Sequence, residues 1–217
     1  QETLSENYAE YTLFSPDGDQ GFPGSLKAKV KYHLSQDNKL TIEFLASCDQ
    51  DTVVNLCNHC YFHLGESSVD ALELQILADN FLAIDENGIP MARHLTRSQQ
   101  AFNFDKPASI GQRLREATEE QIVQNKGFDH CYLLSPQATL PAATLFGATK
   151  GVKMSLYTDQ PGLQLYTGQY LSEPFSPYRA ICLEAQNFPD DINQNLASST
   201  ITPANTDYRK QLIYQFT

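Results

Sequence analysis

The chain has 217 residues, and its 15 Lys plus Arg against 26 Asp plus Glu give a net charge of −11. That balance repels phosphate backbones, and no basic, aromatic-interleaved stripe offsets it, so nucleic-acid binding is set aside. The length fits one large domain, ahead of two small ones, and buries most of the chain's surface without a metal or disulfide staple.

No apolar run approaches a membrane span, and no signal-peptide pattern opens the sequence. Cys48, Cys57, Cys60, Cys131 and Cys182 are odd in number and form no compact framework, which fits a reducing, cytoplasmic setting.

The chain starts at Gln1, without an initiator Met, directly in aromatic, strand-like sequence, as a fragment or a processed chain would. SPDGDQGFPG at 15–24 supplies turns. In LKAKVKYHL, Leu26, Ala28, Val30, Tyr32 and Leu34 alternate with Lys27, Lys29, Lys31 and His33, the period of a half-exposed antiparallel strand. Asp37 and Asn38 turn the chain into KLTIEFLAS, giving a hairpin. Further strands are predicted at 52–57, 70–78, 128–134, 152–158, 162–167, 179–185 and 211–216. Turn residues at 85–90, 159–162 and 172–177 punctuate them. One helix is predicted over 109–123, capped by Ser109, with Ile110, Leu114, Ala117 and Val123 as a loose apolar stripe. Many short strands and little helix predict an all-β fold, a large antiparallel β-sandwich or barrel.

The stretch NLCNHCYFHLG at 55–65 spaces Cys57 and Cys60 as in metal and redox sites. A closed zinc site needs four ligands, and the second half is missing: His130 and Cys131 match no standard spacing. A redox pair draws its low thiolate pKa from a helix N-terminus, whereas this segment reads as a strand. Both cysteines therefore read as small packing residues. In a strand, His59 would share a face with Cys57 and Tyr61. It is either a satisfied core histidine or a proton-exchanging group.

Glu184 stands in RAICLEAQNFPD, on a strand apolar on both faces, so it must be paired, hydrogen-bonded or functional. An ion pair with Arg179 is one reading. A general base with a burial-raised pKa is the other. Asp129, in KGFDHCYLL, reads either as a turn or cap group or as a site residue. Gln164, between Leu163 and Leu165, is either a solvent-facing strand polar residue or part of a site. His33 is read as solvated, and His63, His94 and His130 have no legible partner.

Six ordered segments resemble the aldose 1-epimerase family, whose members include galactose mutarotases. SPDGDQGFPG with LKAKVKYHL is similar to its SPDGE-G-PG turn and following strand, and NHCYFHLG to its NHSYFNL signature. FNFDKPASIGQRL, GFDHCYLL, LYTDQPGLQLYTGQYL and ICLEAQNFPDDINQ resemble its F-F-KP--IG, G-DH---L, T--PG-Q-YTG-(F/Y)L and E-Q--PD--N segments.

The resemblance implies a galactose mutarotase-like supersandwich that interconverts the α and β anomers of a free hexose such as galactose or glucose. It implies Glu184 as general base, His59 as general acid, and Asp129 and Gln164 as holders of sugar hydroxyls, with no metal or cofactor. It also implies a further N-terminal segment bearing another site histidine and an arginine. Nothing before SPDGD corresponds to that segment. Residues 1–217 are thus expected to be the C-terminal part of a larger domain, completed by a separate N-terminal chain or fragment. His63 stands where the family often has Asn. The alternatives are a non-catalytic sugar-binding β-domain and a hexose 6-phosphate epimerase, which would need added Arg or Lys for phosphate.

Overall fold

The computed structural model describes residues 2–96, 100–135, 140–194 and 200–217. The chain runs through β1 (Glu2–Ser5), β2 (Tyr8–Ser15), β3 (Leu26–Leu34), β4 (Lys39–Cys48), β5 (Thr52–Val53), β6 (Tyr61–Phe62), β7 (Leu72–Ile76), β8 (Ala78–Ile84), β9 (Pro90–Thr96) and β10 (Ala108–Ser109). Helices α1 (Ile110–Glu116) and α2 (Glu120–Asn125) follow. Then come β11 (Asp129–Leu134), β12 (Ala143–Gly147), β13 (Val152–Thr158), β14 (Gly162–Tyr166), β15 (Ile181–Gln186), the one-turn α3 (Asp191–Gln194), β16 (Ile201–Thr202) and β17 (Tyr208–Phe216).

Nine strands form an antiparallel sheet in the order β1-β2-β3-β4-β17-β13-β12-β7-β10. Six form a second sheet, β6-β15-β14-β11-β8-β9, and β5 pairs with β16. The expected all-β sandwich is therefore the observed architecture. Alternation decides what each face does. From the larger sheet Ile42, Phe44, Leu74 and Leu156 point inward, and from the smaller one Phe81, Leu165, Ile181 and Leu183. All belong to one apolar core, and burying each such side chain stabilises by about 1.5–3 kcal/mol. Asp129 on β11, Gln164 and Tyr166 on β14, and Cys182, Glu184 and Gln186 on β15 alternate with core residues of the same strands and take the other face. Cross-strand register sets Glu184 beside Gln164, and Tyr166 between Asp129 and Cys182.

The hairpin over 26–48 forms as expected, with Asn38 in the left-handed region at the turn. The predicted strand at 52–57 stops at Val53, and β8, β9, β10, β12 and β16 are strands beyond those predicted. The predicted helix over 109–123 is two helices. Ser109 Oγ accepts from the Gln112 N–H at 3.2 Å and caps the first, as expected. The helix breaks at Ala117, which is extended. There the Glu119 carboxylate accepts from the Thr118 and Ala101 N–H groups at 3.0 and 2.9 Å, a local alternative to helical bonding.

Candidate active site

The segment between β5 and β6 is not a strand, so the expected face shared by Cys57, His59 and Tyr61 does not exist; β6 begins only at Tyr61. Side-chain bonds to distant elements hold the segment instead. Asn55 Oδ1 accepts from the Asn187 N–H at 2.9 Å, and Asn55 Nδ2 donates to the Asn187 carbonyl at 3.2 Å. The Leu56 N–H donates to the Tyr208 hydroxyl at 3.3 Å. Buried Asn58 accepts from the Tyr214 hydroxyl and the Cys60 N–H, both at 3.3 Å. Tyr61 then pairs with Cys182, which brings His59 over the outer face of β15.

There His59 Nε2 lies 3.2 Å from Glu184 Oε1; the carboxylate side chain is 10% exposed and the imidazole 53%. Burial raises the Glu184 pKa above its ordinary value, a protonated His59 opposes that shift, and Asp129 adds to it. Arg179, the structural partner considered for Glu184, donates to the Glu66 carbonyl instead, so the ion-pair reading fails. Asp129 Oδ1 accepts from Gln164 Nε2 at 2.7 Å, which discards both a simple turn role and a merely solvent-facing glutamine. Burial also raises the Asp129 pKa, with Gln164 and His59 working against it. Gln164 Oε1 is a buried acceptor with no donor among the described residues.

All four predicted site residues therefore meet in one place. They line a cavity of about 420 Å³ together with Tyr61, Tyr166, Tyr170, Gln186 and Pro189. Sequence reasoning missed the three tyrosines and Cys182, whose Sγ lies 3.4 Å from His59 Nδ1. Alternation puts Tyr166 on the face of Gln164 and Cys182 on that of Glu184, and cross-strand register brings those faces together.

Cys57 and Cys60 are not the packing pair expected from the sequence. Cys57 is half-buried, its thiol pushed up by burial to about 11, and Cys60 is exposed. Among the described residues the close His/Cys/Glu group is His59, Cys182 and Glu184.

Two other histidines are structural. His130 Nδ1 accepts from the Asp129 N–H at 3.1 Å, and burial holds this imidazole down at about 3, hence neutral. His63 Nδ1 accepts from the Gly65 N–H at 3.1 Å. His33 is exposed, as expected, and the His94 side chain lies outside those described.

A carboxylate and an imidazole in contact at a polar, aromatic-walled cavity can remove one proton and deliver another. A family model described as aldose 1-epimerase matches residues 1–215. An aldose 1-epimerase of Escherichia coli (strain K12) is 36% identical over 194 residues, covering 84% of this chain and 56% of its own length. A galactose mutarotase of Rattus norvegicus is 36% identical over 200 residues, covering 87% of this chain and 56% of its own length. The chain thus spans just over half the length of these curated relatives. The crystal structure of a galactose 1-epimerase from Lactobacillus acidophilus NCFM superposes with a TM-score of 0.88 at 30% identity, over 100% of this chain and 65% of that one.

Proposed function

The chain belongs to the aldose 1-epimerase family, and on that premise we propose that it interconverts the α and β anomers of a free hexose by general acid/base ring opening. The observation that carries this reading is the 3.2 Å contact between His59 Nε2 and Glu184 Oε1 at the cavity. The hydroxyl that loses a proton and the ring oxygen that gains one both sit on C1, so base and acid must be neighbours.

The Glu184 carboxylate takes the C1 hydroxyl proton, the bond from C1 to the ring oxygen breaks, and His59 Nε2 protonates that oxygen. The open aldehyde turns about C1–C2. The ring hydroxyl then attacks the other face of C1, returning its proton to His59, while Glu184 returns its own to the new C1 oxygen. Asp129 and Gln164 hold sugar hydroxyls, and the unpaired acceptor on Gln164 suits that task. The described lining carries no Lys or Arg, which favours an unphosphorylated sugar.

Residues 1–217 act as one sandwich unit. The compartment is reducing and cytoplasmic, a reading supported by five free thiols. A separate N-terminal segment adds strands beside β6 and completes the domain. Addition of such a segment from a relative is expected to raise the unfolding temperature and the exchange rate; no change in either overturns this last point.

NMR exchange between the anomeric protons of galactose tests the reaction. Acceleration that falls by about 10²–10⁴-fold in Glu184→Gln is the expected result. Full activity in that variant overturns the assignment of the base, and sugar binding without exchange overturns the enzyme reading.

A further inference from the structure

We propose that Cys182 is a positioning residue for His59, its thiol holding Nδ1 so that Nε2 faces Glu184 and the cavity in both protonation states of the ring. The catalytic consequence rests on the reaction proposed above; the ring geometry does not.

Cys182 is wholly buried on β15, two residues before Glu184 and on the same face. Register sets it between Tyr61 of β6 and Tyr166 of β14. Its Sγ is 3.4 Å from His59 Nδ1, while Nε2 is 3.2 Å from Glu184 Oε1, so each ring nitrogen has its own partner on the same face of β15. The other neighbours are rings: the centroids of Tyr61 and Tyr166 lie 5.1 and 6.5 Å from that of His59. Among the described residues Cys182 alone offers Nδ1 a hydrogen-bonding atom.

The chemistry of a thiol suits this place. An ionised carboxylate only accepts, so Nε2 must carry a proton to meet Glu184. In the neutral ring Nδ1 is then an acceptor, and the S–H donates to it. In the imidazolium Nδ1 carries a proton too, and the sulfur accepts it. A backbone carbonyl here would only accept, and an ammonium would only donate; a thiol does both, weakly.

Burial, with Glu184 nearby, pushes the Cys182 thiol well above its ordinary range. It therefore keeps its proton near neutrality and does not become a thiolate that would trap a proton on Nδ1. When Nε2 gives its proton to the ring oxygen, the proton left on Nδ1 points to sulfur. Nε2 is free to take the transferred proton back at ring closure.

The test reads the ring directly. Nitrogen-15 correlation spectra of the imidazoles, with His59→Gln to assign the His59 signals, are compared for the native chain, Cys182→Ala and Cys182→Ser. The native neutral ring is expected to carry its proton on Nε2. Cys182→Ala is expected to give a mixture of tautomers, and kcat falls roughly tenfold to a hundredfold with KM held within about twofold. Cys182→Ser, which can still donate and accept, recovers the Nε2 tautomer and most of kcat. Should Cys182→Ala not fold, Cys182→Val supplies the same comparison with the space filled.

An unchanged tautomer in the variant lacking a hydrogen-bonding atom overturns the proposal. If the native chain shows no anomer exchange, the proposed function fails, yet the spectra still decide whether Cys182 positions His59.

Discussion

Glu184 is held where its charge is costly. Burial raises its pKa and a protonated His59 offsets only part of that. A carboxyl whose pKa is higher folded than unfolded binds its proton more tightly in the fold. Its contribution to stability is thus largest at low pH and falls as pH rises from the ordinary carboxylate value to the raised one. The proposed reaction needs the opposite form, because a general base works only when deprotonated. Activity and stability therefore move in opposite directions with this one proton. The acid limb of kcat/KM is expected to have its midpoint above the ordinary glutamate value of about 4.3, and a rate profile measured against pH checks it. Glu184→Gln removes the buried charge, so it is expected to raise the unfolding temperature at neutral pH while losing most of the catalysed exchange. A melting temperature that falls instead would mean the His59 contact outweighs desolvation. Asp129 is raised by burial as well. Asp129→Ala is expected to raise KM about tenfold or more, through loss of a charge-assisted hydrogen bond of roughly 1.5–3 kcal/mol, with circular dichroism checking that the sheet is intact.

The irregular segment ahead of β6 explains how an exposed imidazole is aimed from outside any strand. Asn58 is its anchor, buried, with one side-chain oxygen serving both Tyr214 and Cys60. Asn58→Ala is expected to cost about 1–3 kcal/mol, with Tyr214 keeping a second acceptor in the Leu183 carbonyl. The same change should lower kcat more than it lowers affinity for sugar; urea unfolding and initial rates separate the two effects. The long-range part of this anchoring was not legible in the sequence, because Asn187, Tyr208 and Tyr214 lie 132, 152 and 156 residues from their partners. The β3–β4 hairpin was legible, since one face is half-exposed and alternation survives there. In β8 the last four residues, Phe81 to Ile84, are all buried, so the period vanishes and the strand cannot be read. Glu184 could be read because a lone carboxylate in an apolar strand demands a reason. Cys182 could not, because a cysteine among apolar residues reads as packing until the opposite segment places an imidazole against it.

At the scale of the whole molecule the two sheets are unequal, and the larger one continues where the smaller one ends. Phe44 and Ala46 on β4 are buried in the core, and across the ladder from them stand Val30 and Ala28, which are only partly covered. Tyr11 and Leu13 on β2 extend the same row, and they are 44% and 64% exposed. The second sheet stops at the two-residue β6, on the side that carries His59 and Tyr61. Apolar side chains in a continuous row on an open sheet face mark a surface that another element covers or that associates. The degree of cover can be measured by comparing substitutions along one row. Leu183→Ala, at the centre of the sandwich, is expected to cost about 2–5 kcal/mol. Leu13→Lys in the isolated chain is expected to change stability by no more than about 0.5 kcal/mol, and to reduce self-association in sedimentation. With a covering N-terminal segment present, the same lysine is expected to remove the stabilisation that the segment brings, since a charge would then be buried against apolar surface. A large loss from Leu13→Lys in the isolated chain would show instead that this face is already covered in solution by a second copy, and dilution would then reproduce the loss.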